Sequence, residues 1–411
     1  MAIMAQKRSN KFTKPELLAP AGDLMRAKIA IRYGADAVYL GGQSFSLRSR
    51  ASNFTMEDIK EACDFARQHG ARIHVTVNMI PHEEDFDGLR EYLMKLQEYG
   101  VTAIIAASPS ILKTAKECAP ELERHCSTQM SVTNLATAEY LKEALDLNRV
   151  VLARECSMAD IYEIAGNCSI ETEAFIHGGM CVNYSGRCTL SNRMTLRDAN
   201  RGGCAQSCRW YYHLYEGENE ISNDQMFTMS SRDLSVSSYM YDLMNAGVAS
   251  LKIEGRMKTE YYVASVVSGY RHLIDEIYEK GTPLDEDRLS FHRHEIMRGE
   301  NRETCTGFYS GEADYRSLIY YVQNNNHVNH DFLGTVKEVQ DHQILMEVRN
   351  QFHKDEEIEI MTPGFANRHF TVSYIRDEKG MEMEKANHPM QIVKINVPFE
   401  VCKGDIIRRY R

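Results

Sequence analysis

Residues 175–210 read FIHGGMCVNYSGRCTLSNRMTLRDANRGGCAQSCRW and hold four of the chain's eleven cysteines: Cys181, Cys188, Cys204 and Cys208. Their spacing is C-x6-C-x15-C-x3-C. Four thiolates can hold a zinc ion or an iron–sulfur cluster. Zinc sites commonly gather their ligands as two close pairs, and here only Cys204 and Cys208 are close. Cys181 and Cys188 stand further apart, as they would around a larger object. Glycines beside ligands let backbone N–H groups approach cluster sulfides. The spacing therefore favours a [4Fe–4S] cluster over zinc. Of the remaining cysteines, Cys63, Cys118 and Cys168 lie in helical patterns and read as core. Cys126 and Cys156, near strand ends, are expected to stay out of the site.

The same stretch carries Arg187, Arg193, Arg197, Arg201 and Arg209 against one acid, Asp198. That excess is more than salt bridges within the loop need. Arginine recognises carboxylates and phosphates with a planar fork, so Arg187, Arg193, Arg197 and Arg201 are candidate anion ligands. Glu254 and Arg256, in KIEGR, could be a general acid/base with its clamp, or simply an internal ion pair.

Such a loop needs a scaffold. Short apolar runs ending in small or polar residues recur at 16–22, 37–42, 72–78, 101–108, 123–129, 149–155, 172–178 and 250–256. Helix-patterned segments separate them. Thr55 followed by Asp58 reads as a helix start, and Gly34, Gly70 and Gly100 read as helix stops. Continuous apolar strands alternating with helices predict a parallel sheet buried on both faces. Eight units predict an α/β (β/α)8 TIM-like barrel over 15–282, with an open doubly wound sheet as the alternative. The seventh unit is much longer than the others, so 179–230 is a Cys-rich insertion in the seventh βα loop. SVSSYMYDLMNAG (235–247) should supply that unit's helix. Polar strand ends should face the mouth where such barrels build sites: Asn78, Ser127, Thr128, Gln129, Arg154, Glu155, His177, Glu254 and Arg256. Of these, Asn78, Gln129 and Arg154 are candidate substrate ligands. His177, Glu254 and Arg256 are candidate catalytic groups.

Residues 1–14 read as a flexible tail and 283–330 as a connecting arm. Period-two patterning over 331–411, with turns at Pro363-Gly364 and Asp377–Gly380, predicts a small all-β, barrel-like domain. Composition is that of a globular chain, 43% hydrophobic and 26% charged, with net charge −10. No global field draws it to nucleic acid, so any polyanion must meet a local basic patch. No signal-type or membrane-spanning apolar run is present, and an odd cysteine count argues against a disulfide framework. A cytoplasmic protein with no membrane partner is expected.

PELLAPAGD (15–23), ADAVYLGG (35–42), STQMSVTN (127–134), FIHGGMC (175–181), YSGRC (184–188), SSRDL (230–234) and LKIEGRMK (251–258) together resemble the collagenase-like peptidase family U-thirty-two. The architecture is most similar to the family's tRNA-hydroxylation branch. That branch serves formation of 5-hydroxyuridine at the wobble position of tRNA, using prephenate rather than dioxygen. The resemblance implies that Cys181, Cys188, Cys204 and Cys208 ligate a [4Fe–4S] cluster. It implies tRNA and a small dicarboxylate as substrates, with a homo-oligomer or a second family member as further partner. Many relatives read Asp-Pro-Gly after the fourth strand, whereas here Ser108-Pro109-Ser110 removes an acid from the mouth. A tRNA would also account for the basic Arg48, Arg50 and the IIRRYR tail. The alternative functions are hydroxylation of another RNA, a non-catalytic cluster carrier, and the peptidase activity of the family name. The last lacks recognisable machinery. His82-Glu83-Glu84 and His294-Glu295 have no second histidine for HExxH, and no G-x-S-x-G surrounds Ser44.

Overall fold

A computed structural model describes residues 12–47, 53–222, 226–311, 313–320, 330–365 and 367–410. Seven parallel strands follow in chain order: β1 (Glu16–Pro20), β2 (Ala37–Gly41), β3 (Arg72–Val77), β4 (Ala103–Ala106), β5 (Glu123–Cys126), β6 (Arg149–Val151) and β7 (Glu171–Gly178). An eighth strand, Ser250–Ile253, pairs with β1 on one side and β7 on the other. That double pairing closes the barrel and excludes the open sheet. β1 and β2 are buried at every position, as expected for strands covered on both faces.

The outer helices are set by local signals. α1 (Leu24–Arg32) starts at Asp23, whose carboxylate accepts from the Arg26 amide. α2 (Met56–Gln68) starts with a reciprocal capping box between Thr55 and Asp58 and buries Ile59, Ala62, Cys63 and Ala66 on one face. α3 (Leu89–Glu98), α4 (Pro109–Cys118), α5 (Leu135–Leu145) and α6 (Met158–Asn167) complete the regular units. Ser108 stands at the N-cap of α4 with Pro109 at the first turn.

The seventh unit is irregular. After β7 the chain runs through the insertion, including α7 (Leu190–Thr195), and returns as a short strand, Asp233–Ser235. That strand is antiparallel to the end of β7, pairing Leu234 with Gly178 and Ser235 with His177. The helix expected over 235–247 is shorter than its pattern: a 3-10 turn at Ser237–Tyr239, then α8 (Met240–Asn245). The added strand takes Ser235, and the 3-10 turn takes the place of the helix's first turn. The closing strand is followed by α9 (Glu260–Lys280) and then α10 (Glu286–Met297), which packs on α9. A Cβ on Gly269 would stand 2.5 Å from Ile296, so glycine permits that close crossing.

The lower barrel interior is charged. Arg149 on β6 reaches across to Glu16 on β1 at 2.6 Å and to Glu173 on β7 at 3.2 Å, and Lys252 pairs with Glu173 at 2.8 Å. Burial alone would raise the Glu173 pKa, but Lys252 and Arg149 overcome it and hold it at about 2. His74 and His125 are fully buried in the same layer, with ring centroids 5.0 Å apart. Neither nitrogen of His74 has a hydrogen-bond partner among the described residues. Burial pushes His74 down to about 3, with Glu16 opposing and His125 and Arg149 reinforcing the shift. His125 is also lowered, first by burial.

These depressed values give stability a definite slope. An unfolded histidine titrates at about 6.5. As pH falls from there towards 3, the unfolded chain takes up a proton that buried His74 refuses, so stability falls with pH across that window. We expect urea midpoints to drop between about pH 7 and about pH 5, and to drop less in His74→Gln. Parallel slopes for the two proteins would remove His74 from the account.

The C-terminal residues form one eight-stranded antiparallel sheet around Leu333, Val336, Ile344, Ile358, Val393 and Ile407. Its core strands are Phe332–Gln340, Gln343–Val348, Glu357–Met361, Ile392–Asn396 and Ile406–Arg409. The two edge strands do not pair with each other among the described residues, so the sheet is curled rather than closed. The sheet is held to the barrel by polar contacts. Arg32 pairs with Asp405 at 2.7 Å, Tyr33 donates to the Met361 carbonyl, and Arg298 pairs with Asp331 at 3.3 Å. Tyr261 stacks on Phe332. Arg408 is fully buried between Glu295 and Glu359, and Arg409 pairs with Glu356. These two arginines of the basic tail are therefore spent on ion pairs and offer no patch to RNA. Arg48, Arg50 and Arg411 lie outside the described residues.

Candidate metal centre and active site

The insertion lies over the mouth formed by the C-terminal strand ends. Two glycines let it dock. Gly178 has φ +101, and a Cβ there would stand 2.2 Å from the Glu254 carbonyl oxygen. Gly186 has φ +74, and its Cβ would stand 2.0 Å from the Gln129 carbonyl oxygen. Polar contacts finish the docking. The Ser185 amide donates to Glu155 Oε1 at 3.0 Å, and Arg187 Nε donates to Ser131 Oγ at 3.1 Å.

Cys181 and Cys204 are exposed, and Cys188 and Cys208 are half-buried. Desolvation raises the Cys181 pKa, Arg154 opposes it, and the Cys204 and Cys188 thiols and Glu254 add to it. Cys208 is raised by desolvation, then by Cys181, with Cys204 and Cys188 contributing and Arg209 opposing. The Cys181 thiol thus lies within electrostatic reach of Cys188, Cys204, Arg154 and Glu254, and the Cys208 thiol within reach of the other three. Among the described residues, however, no three His, Cys, Asp or Glu side chains close on a single-ion site. Tetrahedral zinc needs sulfurs about 2.3 Å from one point. A four-iron cube held at its corners asks for a wider ring of thiols. Four thiols are a donor set that either group takes. Neighbours already address the sulfurs: Asn183 Nδ2 lies 3.1 Å from Cys188 Sγ, and Ser191 Oγ lies 4.0 Å from Cys204 Sγ. The other cysteines stand apart from this group. Cys126 and Cys156 are buried, and desolvation pushes both thiols up to about 12. Cys63 and Cys168 are buried and Cys118 is half-buried.

At the mouth, Arg154 lies 3.7 Å over the Phe175 ring and 3.6 Å from Glu254. Tyr39 donates to Glu254 Oε2 at 3.3 Å. Arg256 is buried, with Nη1 3.2 Å from both Ser46 Oγ and Thr76 Oγ1. Asn78 and Gln129 are half-buried at the same rim. Asn78 accepts from the Leu47 amide, and Gln129 contacts Ser127. His177 is elsewhere. A register shift in the pairing of β7 with the closing strand accompanies a side chain turned towards α9. There its nitrogens meet Tyr270 at 3.2 Å and Glu300 at 2.8 Å, with no exposed surface. It is thus a buried, doubly bonded group behind the mouth.

The arginines divide. Arg187 and Arg193 are exposed, and Arg197 is half-buried with its Nε unpartnered. Arg201 is committed: it pairs with Asp85, lies 3.9 Å from Glu84 and donates to the Ile80 carbonyl. It ties the insertion to the loop after β3. We expect Arg201→Ala to speed amide hydrogen exchange over 80–86 and 198–204. Co-substrate affinity should suffer less than in Arg154→Ala. Equal loss of affinity in the two variants would return Arg201 to the ligand set.

The model of peptidase family U32 matches residues 22–318, and that of the family's C-terminal domain matches 328–408. The chain belongs to the peptidase U32 family. It is 43% identical to tRNA hydroxylation protein P1 of Bacillus subtilis, covering 96% of this chain and 95% of the relative. It is 32% identical to tRNA hydroxylation protein P of Escherichia coli, covering 94% and 95%. It is also 32% identical to a Porphyromonas gingivalis protein named Collagenase, covering 72% and 74%.

Within this U32 chain, sequence reasoning missed a charged network behind the thiols. Buried Asp233 gathers Lys258 at 3.2 Å, Arg302 at 3.4 Å and Arg209 at 3.7 Å. Lys258 also pairs with Glu300, the partner of His177. The network links β7 to the residue after Cys208. Asp233 and Lys258 belong to the SSRDL and LKIEGRMK segments, and an acid and a base in two such segments was the available signal.

Proposed function

We propose that this chain is a tRNA-modifying hydroxylase that forms 5-hydroxyuridine at a wobble position, with prephenate as co-substrate and a [4Fe–4S] cluster on Cys181, Cys188, Cys204 and Cys208. The observation that carries the reading is the gathering of four thiols at a cationic barrel mouth, in a chain similar along nearly its full length to proteins named for tRNA hydroxylation. When bound, the cluster would supply redox-active iron beside Arg154 and Glu254. Arg154 is positioned to bind a carboxylate of the co-substrate. Its 3.6 Å contact with Glu254 is looser than a hydrogen bond of about 2.7–3.2 Å, so a ligand carboxylate can compete for it. Phe175 fixes the guanidinium plane from below. Arg256, held by Ser46 and Thr76, orients the rim and places positive charge at the second end of a dicarboxylate. Glu254 contacts Arg154 and acts on the Cys181 thiol, and is the candidate to hold or move a proton.

Contacts to RNA should be local, given the net charge of −10. The insertion offers exposed Arg187 and Arg193 together with exposed Trp210, Tyr211 and Tyr215. Exposed cations and exposed rings on one insertion suit an unpaired RNA loop, whose bases stack on aromatic faces. No helix among the described residues is long and apolar enough to cross a membrane.

The test is nucleoside mass spectrometry of tRNA from a strain lacking the gene, complemented with wild type or with Cys204→Ala. Loss of 5-hydroxyuridine restored only by wild type is expected. Unchanged tRNA with altered ribosomal RNA would move the reading to another RNA. Cleavage of collagen peptides by the purified chain would favour the peptidase.

A further inference from the structure

Beside the thiols lies a cavity of about 120 Å3, with Cys181 in its lining. Met180, Val182, Phe308, Leu318 and Ile319 make its apolar wall. Tyr184 also lines it and is 49% exposed. The polar side carries Glu155, Asn183, Ser231 and Arg232, and Asn183 and Arg232 are engaged. Asn183 Nδ2 donates to Cys188 Sγ at 3.1 Å. Arg232 lies 3.2 Å from Glu303 and donates to the Ser317 carbonyl. Glu155 differs. Its Oε1 accepts from the Ser185 amide, while its Oε2 is buried and accepts no hydrogen bond from any described residue.

We infer that this cavity receives a pyrimidine base turned out of an RNA loop, and that Glu155 Oε2 accepts the N3–H of uracil. The inference rests on the RNA-hydroxylase reading and names how that site selects its nucleoside. Size limits the occupant. An apolar protein cavity of about 150 Å3 holds benzene, so this one suits a single six-membered ring and is small for a purine. The lining has the two elements used to read an extruded base: apolar and aromatic faces for stacking, and a polar group for the Watson–Crick edge. Charge argues against the dicarboxylate here. That ligand brings two negative charges, Glu155 would repel it, and the nearby Arg232 is paired with Glu303. Among pyrimidines, uracil presents a donor at N3, whereas cytosine presents a lone pair there and would set it against the carboxylate. The base would lie against Cys181, and so against whatever the thiols hold.

Glu155 is therefore a specificity-determining residue, and its substitution by glutamine has a directional consequence. The Ser185 amide holds an acceptor at the Oε1 position. Glutamine would keep its carbonyl oxygen there and place its NH2 where Oε2 was. The cavity would then offer a donor, matched to cytosine N3 and mismatched to uracil N3–H.

The experiment measures binding of the cluster-loaded full chain to three anticodon stem–loop RNAs by fluorescence anisotropy. They differ only at the first anticodon base, which is uridine, N3-methyluridine or cytidine. Wild type should bind the uridine RNA roughly tenfold to a hundredfold more tightly than the N3-methyluridine RNA, the cost of a buried unmatched acceptor. Glu155→Gln should lose that preference and favour cytidine over uridine. Equal binding of uridine and N3-methyluridine RNAs by wild type overturns the cavity assignment and leaves the RNA reading intact. So does a Glu155→Gln protein that keeps the wild-type order, or a wild type that prefers cytidine. The wild-type comparison needs no variant, so a poorly folding substitution does not block it. Failure of all three RNAs to bind would overturn the RNA reading together with the cavity.

Discussion

Alanine at any one of Cys181, Cys188, Cys204 or Cys208 is expected to strip iron and sulfide from the purified protein. Absorbance in the thiolate-to-iron region should vanish, and tRNA 5-hydroxyuridine should fall to the level of a deletion strain. The size of the effect follows from ligand count. A cube held at its corners by four thiolates has no spare protein ligand in the insertion, since the remaining cysteines are elsewhere and three of them are buried with thiols pushed up to about 12. Folding should survive, because the four side chains are exposed or half-buried and the docking contacts run through Gly178, Gly186, Ser185 and Arg187. Circular dichroism should therefore match wild type. Cys402→Ala, exposed in the C-terminal sheet, is the control and should change neither iron content nor modification. Iron retained in any one of the four variants would remove that cysteine from the ligand set.

Arg149→Met should be the most destabilising single change in the barrel. The side chain is almost fully buried and bridges Glu16 and Glu173 across the interior. Methionine fills much of the volume but leaves two buried carboxylates without the cation they share, Glu16 keeping only the partly exposed Arg72 and Glu173 only Lys252. Breaking a buried ion pair from one side costs about 3–5 kcal/mol. For a chain of this size that is a drop in Tm of roughly 5 °C. Pairing the change with Glu16→Gln should recover part of the loss, because one uncompensated charge disappears. A Tm within about 2 °C of wild type would show that the network sets shape without contributing to stability.

Much of the scaffold was legible because its physics is local. Strands buried on both faces read as unbroken apolar runs, and caps such as Thr55 with Asp58 declare a helix start within four residues. Closure was not legible from strand count. It depends on Ser250–Ile253 meeting both β1 and β7, a pairing between segments far apart in the chain. The cysteines could be singled out because four of them crowd one Gly- and Arg-rich stretch. Arg201 and His177 were harder for a common reason. Asp85 and Glu300, the partners that engage them, lie over a hundred residues away, and nothing near either residue signals that it is already taken. Its place at the polar end of β7 suggested a mouth-facing His177, and the register shift with the closing strand breaks that inference. The hidden acceptor on Glu155 is beyond sequence altogether, since it is defined by which of two oxygens the Ser185 amide reaches.

The insertion leaves the barrel at Gly178 and comes back at Leu234, and these two residues are paired across adjacent strands. Its ends are therefore pinned together whatever lies between them. The entropy of closing such a loop grows only with the logarithm of its length, about 0.6 kcal/mol for each doubling. Residues can be added or removed in the insertion while the eight staves keep their register. The part of the chain that meets substrate can thus drift in length and composition, and the barrel beneath it need not change to follow.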